Sequence, residues 1–99
     1  MEITILQENG TVTVNIEGRL DTVTAPELEN AVKPNIGQSA VLVFNCEKLQ
    51  YVSSAGLRVV LSTYKQVAAA GGRFIVKNLN PEVKSVFDLT GFSRVLEIQ

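Results

Sequence analysis

Residues 40–57 read Ala40-Val41-Leu42-Val43-Phe44-Asn45-Cys46-Glu47-Lys48-Leu49-Gln50-Tyr51-Val52-Ser53-Ser54-Ala55-Gly56-Leu57. Ala40 to Phe44 is a short apolar run rich in β-branched residues, the pattern of a buried strand. Leu49-Gln50-Tyr51-Val52 is its neighbour and leads into a helix that starts at Ser53 or Ser54. From there the period changes. Leu57, Val60, Leu61, Tyr64, Val67 and Ala68 recur every three to four residues, which predicts one buried helical face. Gly71-Gly72 stops this helix, and Arg73 to Lys77 is the next strand. A strand, a crossover helix and a second strand in this order predict a parallel pair.

The same logic extends in both directions. Toward the N-terminus, residues 3–7 and 11–17 read as strands, and in the second Val12, Val14 and Ile16 alternate with polar residues. Asn9-Gly10 between them is a two-residue hairpin signal, because a type I′ turn needs positive φ at both positions. Thr24-Ala25-Pro26-Glu27 has the form of a capping box, Thr24 accepting from the amide of Glu27 and Glu27 reaching back. This first helix carries Leu28, Ala31 and Val32, and Pro34 ends it near Lys33. Toward the C-terminus, Asn80-Pro81 predicts a cap followed by the first helical position, with Val83, Val86 and Phe87 as the buried stripe. Gly91 fits the left-handed residue after that helix, Phe92 can pack back across its end, and Val95 to Ile98 is a closing strand. The prediction is an α/β fold in one domain, residues 1–99, with order β-β-α-β-α-β-α-β. An N-terminal antiparallel hairpin joins a mainly parallel sheet, and the helices pack on that sheet.

Composition narrows the function. The chain has 99 residues, 45% of them apolar and 19% charged, with a net charge of −1. That is a globular balance with nothing to draw it to nucleic acid or an anionic membrane. A single cysteine, Cys46, allows no internal disulfide and reads as a small buried hydrophobe. Histidine is absent, which removes the commonest general base and metal ligand. No secretory pattern or spanning run is seen, so a cytoplasmic location is expected. No G-x-S-x-G elbow, P-loop, dinucleotide fingerprint or metal-ligand spacing occurs, and Glu82 and Asp88 have no evident catalytic partner. The expectation is a non-enzyme without cofactor or metal.

The topology says where a binding site would be. Strand-to-helix loops gather at the carboxyl edge of a parallel sheet. Here these are residues 18–24, 50–55 and 78–81, each leading into a helix N-terminus that favours negative charge. The chemistry at that edge is Asp21, Thr22, Thr24, Ser53, Ser54 and Asn80. Each also has an ordinary structural role: either serine can be a helix cap, Asp21 a turn or cap residue, and Gly56 a packing residue. Arg58, Lys65 and Arg73 are scattered cations that form no stripe.

Several blocks together resemble the STAS domain family (sulphate transporter and anti-sigma factor antagonist). They are Gly18-Arg19-Leu20-Asp21, Thr24-Ala25-Pro26, Leu49 to Leu57, Tyr64-Lys65-Gln66 with Gly71-Gly72, and Val86-Phe87-Asp88-Leu89-Thr90-Gly91-Phe92, in family order across nearly the whole chain. The resemblance implies a stand-alone partner-switching regulator of the anti-sigma factor antagonist kind. Its unphosphorylated form would bind an anti-sigma factor that is also a serine kinase, freeing a sigma factor, and a serine phosphatase would reset it. By the same resemblance Ser54 is the phosphorylated residue and Asp21 belongs to the partner surface; the carboxyl edge and its small-residue loop add Thr22, Thr24, Ser53, Ala55, Gly56 and Arg58 to that candidate surface. The chain departs from the family pattern at three places: Ser53 stands for an aspartate, Arg58 for a frequent glycine, and Arg19 for a frequent acid. Two other readings stay open, a STAS scaffold subunit of a transporter or signalling complex that is not phosphorylated, and a small nucleotide-binding protein.

Overall fold

Asn9 and Gly10 have φ of 49° and 78°, the pair of positive values a two-residue hairpin turn requires. The turn joins β1 (Glu2–Glu8) to β2 (Thr11–Leu20), which pair antiparallel from Glu8↔Thr11 to Glu2↔Glu17. The computed structural model describes residues 1–99. After the hairpin come α1 (Ala25–Val32), a 3-10 turn (Lys33–Asn35), β3 (Val41–Val52), α2 (Ser54–Ala69), β4 (Arg73–Lys77), α3 (Pro81–Leu89), a second 3-10 turn (Phe92–Arg94) and β5 (Glu97–Ile98). The sheet order is β1-β2-β3-β4-β5, parallel from β2 onward.

Each parallel strand is added on the same side of the last, so right-handed crossovers place every helix on one face. The core agrees. Val12, Val14 and Ile16 of β2, Leu42 and Phe44 of β3, and Phe74 and Val76 of β4 form one cluster with Leu28, Val32, Leu57, Val60, Val67, Val83 and Phe87 from the three helices. Phe44 and Phe74 meet edge to face with centroids 4.8 Å apart. The intervening residues of β2, Thr11, Thr13 and Asn15, are only half-buried on the opposite face. A strand order that never reverses has no switch point. The crevice in which doubly wound folds hold nucleotides is therefore not formed. No helix is long and apolar enough to cross a membrane.

Some local expectations change. β2 runs through Leu20 and β3 through Val52, so residues 18–20 and 50–52 are strand, where loops were expected. The two strands stay paired by shifting register twice, between Asn15 and Glu17 and between Gly18 and Arg19. Side chains support the first shift: Asn45 donates to Asn15 (2.8 Å), and its Oδ1 accepts from the Glu47 amide (3.3 Å) and from Asn78 (2.9 Å). Gly18, with φ of 102°, supplies the backbone freedom for the second. On α2, Ala68 is exposed, while Val59 and Thr63 are buried. This helix is covered by α1 as well as by the sheet, which widens its buried face. Thr63 is tolerated there because its hydroxyl donates to the Val59 carbonyl at 2.8 Å. The closing strand is only Glu97–Ile98, because Phe92–Arg94 forms a 3-10 turn and Val95 stays outside the sheet. Gly91 does take the left-handed conformation (φ 82°), and Phe92 packs edge to face on Phe87.

Candidate functional site

The carboxyl edge is organised around one backbone bond. The Ser53 amide donates to the Leu20 carbonyl at 2.9 Å, tying the end of β3 to the end of β2. Asp21 and Ser54 each follow one residue beyond that link, so the topology brings both to the same place. The close approach depends on Gly56. A Cβ there would lie 2.7 Å from Leu20 Cγ, 2.9 Å from the Leu20 carbonyl oxygen and 3.0 Å from Val52 Cγ2. Gly56 is buried beneath Leu20 and is therefore no part of an exposed surface, contrary to the expectation from sequence. Its role is to let α2 start against the end of β2.

The two serines differ. Ser53 has the extended backbone of an N-cap, and its Oγ accepts from the Gly56 amide at 3.3 Å. Ser54 is the first helical residue and is exposed, so its hydroxyl is not spent on capping. Ala55 is half-buried and Arg58 is exposed, one turn further along α2.

The start of α1 is arranged otherwise. The expected box between Thr24 and Glu27 does not form, because Thr24 already has helical dihedrals (φ −91°, ψ −18°) and makes no cap bond. The box lies three residues earlier. Asp21 Oδ1 accepts from the amides of Val23 (3.0 Å) and Thr24 (3.1 Å), and Thr24 Oγ1 accepts from the Asp21 amide at 2.8 Å. Thr24 Oγ1 in turn donates to the Arg19 carbonyl at 2.8 Å. The Thr24 backbone amide contributes most to holding the Asp21 carboxyl below its usual range; desolvation opposes it, and the Thr24 hydroxyl, the Val23 amide and the Arg19 charge add to the lowering. Thr22 is exposed and Thr24 half-buried. Asn80 is fully engaged: Oδ1 accepts from the Val83 amide (2.8 Å) and Nδ2 donates to the Leu49 carbonyl (3.0 Å).

Arg19, which stands where the family often has an acid, and Tyr51 also join this edge. Arg19 and Tyr51 are paired across β2 and β3, and the guanidinium lies 4.1 Å from the tyrosine ring centroid and 3.9 Å from Asp21. Only the register after the second shift makes them neighbours. A count in the unshifted register would have missed the pair. Cys46 is buried, and burial pushes its thiol up to about 12, as suits an inert core residue.

The arrangement is thus a small polar edge with an uncommitted serine at its centre. A family model described as the STAS domain matches residues 2–99. The chain belongs to the STAS domain family. Among its STAS relatives, the anti-sigma-B factor antagonist of Bacillus subtilis (strain 168) is 31% identical over 98 residues, which cover 99% of this chain and 90% of that one. Among solved structures, an anti-sigma factor antagonist from Mycobacterium paratuberculosis superposes with a TM-score of 0.89 at 26% identity, covering 98% of this chain and 83% of that one. The anti-sigma factor antagonist SpoIIAA in its unphosphorylated form shares the STAS fold, with a TM-score of 0.77 at 23% identity over 99% of this chain and 87% of that one.

Proposed function

We propose that this chain is an anti-sigma factor antagonist that works by partner switching, with Ser54 as its switch. With Ser54 unphosphorylated, the edge formed by Asp21, Thr22, Thr24, Ser53, Ala55 and Arg58 docks an anti-sigma factor that is also a serine kinase, and a sigma factor is freed. The kinase then transfers the γ-phosphoryl group of ATP to Ser54 Oγ. The new O–P bond replaces the bond to ADP, the hydroxyl proton leaves, and the complex separates. A serine phosphatase restores the hydroxyl. The protein is a cytoplasmic binding module, and the kinase and phosphatase supply the catalysis.

The observation that carries this reading is the division of labour between the serines. Ser53 caps α2, which leaves the Ser54 hydroxyl exposed at the first helical position. A phosphate adds about −1.5 to −2 charges at pH 7, and a helix N-terminus tolerates them. The modification therefore acts on the docking partner and leaves the fold intact. Asp21 contributes a fixed negative charge at the same edge, already oriented by its amide bonds.

The test is phosphosite mapping by mass spectrometry on protein from its native cells, with and without phosphatase treatment. Phosphate on Ser54 is expected. Phosphate on Ser53 alone would move the switch to the capping residue, and no phosphate under varied growth conditions would favour a constitutive scaffold.

A further inference from the structure

Ser54 and Arg58 stand four residues apart on α2, and both are exposed. Residues at this spacing lie one above the other on a helix, about 5–6 Å apart at Cβ. Side chains on a helix lean toward its N-terminus, so the reach of Arg58 is over the first turn and toward Ser54. Arg58 has no carboxylate partner: the ion pairs of the chain are Arg19–Asp21, Arg73–Glu97 and Lys84–Asp88. The other cation at this edge, Arg19, is already committed to Asp21 and to the Tyr51 ring. The first turn of α2 holds no acidic residue, whereas those of α1 and α3 hold Glu27 and Glu82. Nothing on α2 competes with a phosphate for the Arg58 guanidinium. The carboxylate of this edge, Asp21, is engaged by two amides and by Arg19.

We propose that Arg58 is the intramolecular counter-ion of phosphorylated Ser54, taking the phosphate oxygens by charge-assisted hydrogen bonds across one helical turn. The inference rests on Ser54 as the modified residue and adds how the modification is read. Phosphorylation then changes the docking edge twice over. It introduces a dianion, and it withdraws the one uncommitted cation of the edge from the partner. The phosphate is also held against the helix, where a phosphatase must displace Arg58 to reach it.

The experiment installs phosphoserine at position 54 by genetic encoding, with no kinase, and follows the second phosphate ionisation by phosphorus NMR at low salt. A nearby cation favours the dianion, so the phosphate should titrate lower in the unchanged chain than in Arg58→Gln. The expected difference is about 0.15–0.4 pH unit, shrinking as salt is raised. Arg58→Lys, which keeps the charge, should recover most of it. Identical titrations in the unchanged chain and Arg58→Gln would overturn the proposal, and so would a difference that Arg58→Lys fails to recover and salt fails to reduce. Because the phosphate is built in, this result is independent of whether cells phosphorylate Ser54. Either idea can fail while the other stands.

Discussion

The starts of α1 and α2 lie at the same edge of the sheet and use their polar side chains in opposite ways. At α1, Asp21 and Thr24 satisfy each other's amides, and both side chains are consumed. At α2, Ser53 alone supplies the cap bond, and Ser54 beside it is left free. Composition does not separate the two cases, since all four residues are good capping types. What separates them is backbone conformation: Ser53 is extended, so its oxygen reaches the Gly56 amide, while Thr24 is already helical and points its hydroxyl back to Asp21. A residue becomes available for chemistry when its neighbour has taken over the structural duty.

The strongest way to break this contrast is to disturb the contact on which the α2 start rests. Gly→Ala inside a helix normally stabilises by up to about 1 kcal/mol. Gly56→Ala should do the reverse and cost about 1–3 kcal/mol, because the new methyl collides with the Leu20 carbonyl as well as its side chain. Urea denaturation reads the sign directly, and a stabilised variant would mean that Leu20 and α2 separate easily.

A smaller effect distinguishes the serines. Ser53→Ala should cost about 0.5–2 kcal/mol through loss of the cap. Ser54→Ala should stay within about 0.5 kcal/mol, as an exposed residue outside the cap does. Thermal melts of both variants measure the pair. Equal losses would show that the cap is shared and Ser54 is not free.

The smallest effect concerns the Asp21 box. Its carboxyl is held below the ordinary value when folded, so its stabilisation is fully present above the unfolded pKa of about 4 and is lost as pH falls through the folded value. Asp88 is lowered chiefly by Ser93, with Lys84 adding to it, and Glu97 is lowered chiefly by Arg73, so the whole chain loses stability in acid. Comparing the unchanged chain with Asp21→Asn isolates the one contribution. The stability gap between them should be present at pH 7 and narrow below about pH 4. A gap independent of pH would mean that the amide bonds, which Asn can also accept, are all that matters.

Features that depend on a few consecutive residues were readable directly. Asn9-Gly10 made the hairpin, Asn80-Pro81 opened α3 and Gly91 closed it, because left-handed φ, a fixed proline ring and a side-chain cap are local constraints. The order of strands and helices followed from hydrophobic period, and with it the location of the edge. The period also put Ser54 at that edge, and the resemblance distinguished it from Ser53 as the expected phosphorylation site.

The sequence by itself thus determined the elements, their succession and the residue types available at the carboxyl edge, since periodicity and turn chemistry act over a few residues. Only the tertiary structure decided which of those residues are free. The two register shifts bring Arg19 over Tyr51, the Leu20 contact buries Gly56, and the Leu20–Ser53 bond sets the conformation that makes Ser53 the cap. Each of these depends on atoms some 30 residues apart in the chain, and a local pattern carries no information about how closely two distant backbones approach.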